Sequence, residues 1–239
     1  MSDTIKFTID GVEVTAQPGQ TILEAAEAAG IYIPRLCYLK GLVPHASCRV
    51  CTVLVNGRPQ SACTQPAANG IVVENNVENV MKHRRNIVEM LFVEGNHYCM
   101  FCERSGSCEL QALGYRFGIS TPKFPYQFPD RDVDASHPDL MLDRNRCVLC
   151  ARCVRSSRDL DGKHVFGFVN RGSKKRVAVN STGKLSDTDL KLADKAAEAC
   201  PVGCIIKKRV GFAVPIGSRK YDHQPIGSDI EGTKQSKGQ

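Results

Sequence analysis

Twelve of the 239 residues are cysteines, and their spacing sets the chemistry open to this chain. They fall into three groups: Cys37-x10-Cys48-x2-Cys51-x11-Cys63, Cys99-x2-Cys102-x5-Cys108, and Cys147-x2-Cys150-x2-Cys153 with Cys200 and Cys204 far downstream. Thiolates at such short intervals bring several sulfurs within reach of one cluster. Soft sulfur donors select iron-sulfur clusters or zinc over magnesium or calcium.

Two other uses of cysteine compete. A disulfide framework needs an oxidising compartment and is typical of small secreted domains. The N-terminus, Met1-Ser2-Asp3-Thr4, has neither a basic n-region nor an apolar h-region, so a reducing cytoplasm is the expected setting. Zinc favours paired C-x2-C knuckles. The first group instead has a wide gap before its pair, and the third is a run of three.

At 239 residues and 42% hydrophobic composition, the chain suits one or two soluble domains with real cores. No apolar run approaches the ~18 residues of a membrane helix; Ile87 to Val93 carries Glu89 inside it. No membrane association is expected. The formal charge is +7, and Arg144 to Arg176 holds ten Lys/Arg against two Asp, a net +8 that contains the whole surplus. Because this stretch surrounds the third cysteine group, compensation of a negatively charged cluster and partner docking are favoured over nucleic-acid binding. No zinc-finger, helix-turn-helix or aromatic RNA-binding signature accompanies it. A solvated basic face is the plainer reading for any single arginine.

The elements that must position these sulfurs begin with Ile5 to Ile9, Asp10-Gly11 and Val12 to Val14, an alternating pattern broken by a type I′ turn dipeptide, hence a β-hairpin. Thr21-Ile22-Leu23-Glu24 is a capping box, and the alanine-rich run to Ala29 stops at Gly30. Thr52 to Val55 reads as a strand entering a turn at Asn56-Gly57. The order hairpin, helix, cysteine loop, strand resembles the plant-type ferredoxin fold, a β-grasp, over residues 1–76. The spacing departs from the soluble plant-type C-x4-C-x2-C, with ten residues in place of four. It is similar instead to the [2Fe-2S] module of the large iron-sulfur subunit of respiratory complex I, of [FeFe] hydrogenases and of NAD-linked hydrogenase diaphorases. That resemblance implies a [2Fe-2S] cluster on Cys37, Cys48, Cys51 and Cys63.

Residues 77–119 form a second, helical module. Val77, Val80, Met81, Ile87, Val88 and Leu91 follow helical spacing and leave Lys82, His83, Arg84 and Arg85 mostly on a solvated face. The C-x2-C-x5-C-E-L-Q run from Cys99 to Gln111 resembles the histidine-ligated [4Fe-4S] module of the same families. In those relatives the histidine commonly stands four residues before the first cysteine; here Gly95 is there, and His97 is two before. Three cysteines need a fourth ligand, and imidazole is the usual substitute for thiolate. His97 is the expected ligand of the Cys99, Cys102 and Cys108 cluster. Its rival is Cys204, crossing over as a fourth cysteine does in two-cluster bacterial ferredoxins.

Pro122, Pro125, Pro129 and Pro138 make residues 120–138 a linker. Residues 139–214 follow, where the run Arg146 to Arg155 resembles half of a bacterial ferredoxin whose remote cysteine is Cys200-Pro201. A second full run is missing before that cysteine, so one [4Fe-4S] cluster is expected, on Cys147, Cys150, Cys153 and Cys200, with Cys204 as a small buried hydrophobe beside it. Residues 215–239 are too polar to bury a core of their own and read as an extended tail, either disordered or ordered on a partner. The fold class is therefore α+β.

No G-x-G-x-x-G, G-x4-G-K-[ST], Ser-His-Asp or H-E-x-x-H arrangement is present, and the chain is expected to end before the catalytic domains that follow these modules in relatives. Over nearly its whole length it resembles the small diaphorase iron-sulfur subunit of cytoplasmic NAD-reducing [NiFe] hydrogenases (HoxU type). That family implies a flavin-containing diaphorase subunit that reduces NAD and a [NiFe] hydrogenase pair of small and large subunits as partners, with this chain passing electrons between them. The modules are shared with the equivalent subunits of NAD-dependent formate dehydrogenases and [FeFe] hydrogenase complexes. A DNA-binding redox sensor is the reading from another class.

Overall fold

A computed structural model describes residues 4–232. The hairpin forms as its pattern requires: β1 (Ile5–Ile9) pairs antiparallel with β2 (Val12–Ala16). Asp10 and Gly11 take φ of 48° and 79°, the two positive values of a type I′ turn. Phe7, Ile9, Val14 and Ala16 alternate into the core. Helix α1 (Ile22–Ala28) starts on the complete Thr21–Glu24 capping box and lays Ile22, Leu23, Ala25 and Ala26 on that core. β3 (Thr52–Val55) turns through Asn56-Gly57 into β4 (Arg58–Ser61), and β5 (Val72–Glu74) completes a sheet of order β2-β1-β5-β3-β4. β4 and β5 escape a pattern reading for different reasons. β4 contains Pro59, tolerated because the strand lies at the sheet edge. β5 is three residues long and is a strand only because it lies between β1 and β3.

Helix α2 (Glu78–Glu94) packs on α3 (Glu109–Arg116). One expectation fails here. Arg84 is not on the solvated face but 1% exposed, beneath the first sheet. Its guanidinium donates to the Thr52 carbonyl at 3.0 Å, the Asn75 carbonyl at 3.0 Å and Asn75 Oδ1 at 2.8 Å. A helix-period count cannot see that acceptor-lined hole, which β3 and the β5–α2 junction create. Lys82, His83 and Arg85 do face solvent.

The third module's sheet reaches back into the proline-rich segment. β6 (Val133–Asp134) pairs with β7 (Leu140–Asp143), which pairs with the later β10 (Ile205–Lys207). Between them come α4 (Arg152–Asp159), the hairpin of β8 (Phe166–Val169) and β9 (Arg176–Val179), and α5 (Lys195–Glu198). Only residues up to about Asp132 therefore behave as linker. Leu140, Leu142, Val165, Val177, Leu185 and Val202 join Leu110, Leu113, Leu36 and Val50 in one continuous core, so the second and third modules share their interior with the first cysteine loop.

The described part of the tail is neither loose nor extended. Tyr221 N donates to the Gly106 carbonyl at 2.8 Å, Arg116 donates to the Ile226 carbonyl at 2.8 Å, and the short α6 (Ser228–Glu231) buries Ile230. The tail orders on its own chain because Ile226, Ile230 and Tyr221 complete a core built by distant segments. Residues 233–239 lie outside the described residues. Among the described residues no helix is long and apolar enough to cross a membrane.

Removing Arg84 strands buried acceptors, so Arg84→Ala is expected to destabilise the chain by ~3 kcal/mol. Lys82→Ala should stay within about 0.5 kcal/mol. Denaturant midpoints of the two variants check this, and equal midpoints would contradict the assigned role.

Candidate metal centres

The first four sulfurs are placed by the β-grasp sheet. Cys51 immediately precedes β3 and Cys63 follows β4, so their separation is fixed by the β3–β4 pairing. Cys37 and Cys48 lie on the loop between α1 and β3, where Ala46 and Arg49 adopt φ of 54° and 61°. Left-handed backbone at non-glycine residues costs energy that the surroundings must over-determine. Here it curls the loop so that the Cys37 amide donates to Cys48 Sγ at 3.4 Å. Cys37, Cys51 and Cys63 are buried and Cys48 partly so. A hydrogen bond from Cys48 lowers the Cys37 thiol to about 5, and one from Cys51 lowers Cys63, while the donors Cys48 and Cys51 are pushed up. The four sulfurs thus come together as two hydrogen-bonded pairs.

The second group surrounds a small cavity lined by His97, Cys99, Cys102, Cys108, Phe92, Arg146 and Gly203. Helix α2 ends at Gly95 with extended backbone, and the next residues turn His97 inward, edge-on to Phe92 with ring centroids 5.9 Å apart. The imidazole donates to the Leu91 carbonyl, while Nε2 is buried without a hydrogen-bond partner. Fixing the proton on one nitrogen leaves the other as a bare lone pair, the arrangement of a metal-binding histidine. Burial, reinforced by Arg146 and Arg131, lowers the His97 pKa to about 4, so the ring is neutral at physiological pH. Gly95 is required beside it, because a Cβ there would lie 2.6 Å from His97 Nε2.

The third group has five sulfurs. Cys147, Cys150, Cys153, Cys200 and Cys204 line one cavity with Val148, Phe168 and Val177. Leu149 and Ala151, at φ of 51° and 60°, alternate with the cysteines and curl the run before α4 begins. Cys204 belongs here and not to the second cavity. Hydrogen bonds from its thiol lower Cys147 and bring Cys200 down to about 6. Burial pushes Cys150 here and Cys108 in the second group up to about 12.

Such thiols are inert when free, whereas a coordinating metal deprotonates them outright. Among the described residues no three His, Cys, Asp or Glu side chains converge as a single-ion site. Two of the three groups line cavities instead, and an orphaned imidazole nitrogen completes the one that has only three sulfurs. The donor sets therefore suit clusters, with soft sulfur ligands in every group.

Residues that no local pattern singles out connect the three sites. Arg155, two positions after Cys153, donates to the Cys37 carbonyl at 2.5 Å and the Val43 carbonyl at 2.7 Å. Arg152 grips Glu109, the neighbour of Cys108, through two bonds of 2.7 Å. Arg146 reaches Cys102 Sγ at 3.5 Å and Glu103 at 2.9 Å. Arg144 is buried on the Val177 carbonyl and Asp132. Much of the basic stretch is thus used inside the molecule. Its only sequence signal is proximity to cysteines.

Three family models cover the chain in register with these sites: a 2Fe-2S iron-sulfur cluster binding domain over residues 2–78, an NADH-ubiquinone oxidoreductase-G iron-sulfur binding region over 84–123, and a 4Fe-4S single cluster domain over 140–206. The gamma subunit of the NAD-reducing hydrogenase HoxS of Cupriavidus necator is 42% identical, over 93% of this chain and 95% of that protein. The mitochondrial 78 kDa subunit of NADH-ubiquinone oxidoreductase from Candida albicans is 32% identical over 87% of this chain, which spans only 29% of that longer protein. A chain in a crystal structure of an NAD+-reducing [NiFe]-hydrogenase in the H2-reduced state superposes with a TM-score of 0.91 at 47% identity, covering 93% of this chain and 95% of that one.

Because Cys204 lines the five-sulfur cavity and His97 the three-sulfur one, Cys204→Ala should keep the full iron content, with at most a packing cost. His97→Ala should lose or degrade one cubane. Iron analysis and EPR of the two variants check this, and loss of a cubane in Cys204→Ala alone would reverse the assignment.

Proposed function

The chain belongs to the family of the gamma subunits of NAD-reducing hydrogenases, and on that premise we propose that it is the iron-sulfur electron-transfer subunit of such an enzyme. It carries one [2Fe-2S] and two [4Fe-4S] clusters between a [NiFe] hydrogenase pair, small and large subunits, and a flavin-containing diaphorase subunit that reduces NAD. It works in the cytoplasm without a catalytic site of its own, and contacts neither membrane nor nucleic acid. Cys37, Cys48, Cys51 and Cys63 hold the [2Fe-2S] cluster. His97, Cys99, Cys102 and Cys108 hold one [4Fe-4S] cluster, and Cys147, Cys150, Cys153 and Cys200 hold the other. When bound, these clusters accept and release single electrons.

The observation that carries this reading is that the third cysteine group is bonded to both others. Arg155 joins it to the Cys37 loop, and Gly203 lies so close to Cys102 that a Cβ would come within 2.7 Å of Cys102 Sγ. Contacts of that kind favour a linear order, [2Fe-2S] site, Cys147 site, Cys99 site, since tunnelling weakens steeply with separation. Arg152 and Arg155 hold that spacing, and the shared apolar core keeps water out of it. At the Cys99 end, Met100 and Phe101 are 85% and 73% exposed. Apolar side chains presented this way beside a buried donor group are suited to a covered subunit contact. Burial of Arg144, Arg152 and Arg155 on partners within the chain speaks for internal bracing over nucleic-acid binding.

Purified under strict anaerobiosis, the chain should contain about ten iron and ten sulfide. Free of partners, it should neither oxidise hydrogen nor reduce NAD. Iron near six, or turnover by the isolated chain, would overturn the proposal.

A further inference from the structure

Cys102 lies at a junction between the second and third cysteine groups. Its sulfur lines the second cavity together with Gly203, which sits on the loop between Cys200 and Cys204 and closes on that sulfur. A guanidinium enters this junction: that of Arg146, placed there by the short 3-10 turn Arg144–Arg146 that leads into Cys147. Its Nη1 donates to Cys102 Sγ at 3.5 Å, and a Cβ on Gly203 would meet the same Nη1 at 3.3 Å. The same Nη1 donates to Glu103 at 2.9 Å, and Nε makes an ion pair with Asp143 at 3.0 Å. One planar guanidinium thus bridges two carboxylates and one sulfur, a geometry that lysine cannot reproduce.

From this arrangement we infer that Arg146 sets the reduction potential of the cluster proposed at His97, Cys99, Cys102 and Cys108. The inference rests on the ligand assignment made above. Reduction adds one electron to a sulfur-ligated site, and a cation donating an N–H bond to a ligand sulfur stabilises the more negative state. The effect is enhanced because the site is largely closed to water. Histidine in place of a fourth thiolate already removes one negative charge from this cluster. Arg146 acts in the same direction. The two carboxylates fix the sign of any substitution. Without the guanidinium, Glu103 and Asp143 remain as uncompensated negative charge near Cys102, and the reduced state is disfavoured. Arg146 is a positioning and tuning residue in this scheme, since it touches a ligand and not the iron.

The test is an EPR-monitored redox titration of the assembled complex carrying Arg146→Gln or Arg146→Lys. The glutamine variant should keep its full iron complement and shift the Cys99-site potential downward. The lysine variant, which keeps the charge but not the fork, should fall between it and the native protein. The [2Fe-2S] potential should not move in either. A cluster that is present with unchanged or raised potential in Arg146→Gln would overturn the inference while leaving the cluster assignment intact. Loss of the cluster from both variants would make Arg146 a structural residue and overturn it equally. Native protein with only about six iron would instead refute the ligand assignment.

Discussion

The guanidinium of Arg155 reaches back across 118 residues to the carbonyl of Cys37, and the geometry of the other sites follows from that closure. A buried cation without partners would cost several kcal/mol. Arg155 meets the Cys37 and Val43 carbonyls, so its burial locks α4 to the first cysteine loop. Arg152, one turn away on the same helix, closes bidentately on Glu109 and locks α4 to the start of α3. A single eight-residue helix thereby holds the third cysteine run against both of the other groups. Breaking one partner of such a pair strands a charge in the interior, which is why these arginines constrain position more strongly than an exposed ion pair would.

The sites inside that frame are built from groups that are unfavourable alone. Burial raises Cys108 and Cys150 to about 12 and leaves His97 Nε2 without a partner, and the cysteine loops carry left-handed backbone at Ala46, Arg49, Leu149 and Ala151. Each is a cost in the bare polypeptide that the proposed ligation would offset, by deprotonating the thiols and occupying the imidazole lone pair. Folding and cluster insertion would then be coupled, and the core shared between modules would extend that coupling across the chain.

Much of the frame is legible in the sequence because its signals are local. The Asp10-Gly11 turn, the Thr21–Glu24 capping box, the Thr52–Val55 strand and the cysteine gaps other than that to Cys200 all act within about a dozen residues. What is not legible depends on segments meeting from afar. β5 exists as a strand because β1 and β3 flank it. Arg84 reads as a surface residue until Thr52 and Asn75 supply its acceptors. The tail reads as too polar to bury a core of its own, and Ile226 and Ile230 instead join one made by other elements. The same is true of the site: His97 is identifiable from its proximity to three cysteines, but the choice between it and Cys204 turns on which cavity each lines. Of the two places the sequence allows Cys204, the fold takes the one beside Cys147 and Cys200.

If the Cys147 site stands between the other two and is the only path joining them, removing its cluster alone must divide the chain electrically. The double substitution Cys147→Ser and Cys150→Ser in the assembled enzyme does this, with EPR recording which remaining clusters each reductant reaches. NADH is then expected to reduce one of the two surviving clusters and hydrogen the other, with neither reductant reaching both. Reduction of both survivors by either reductant alone would contradict the linear order.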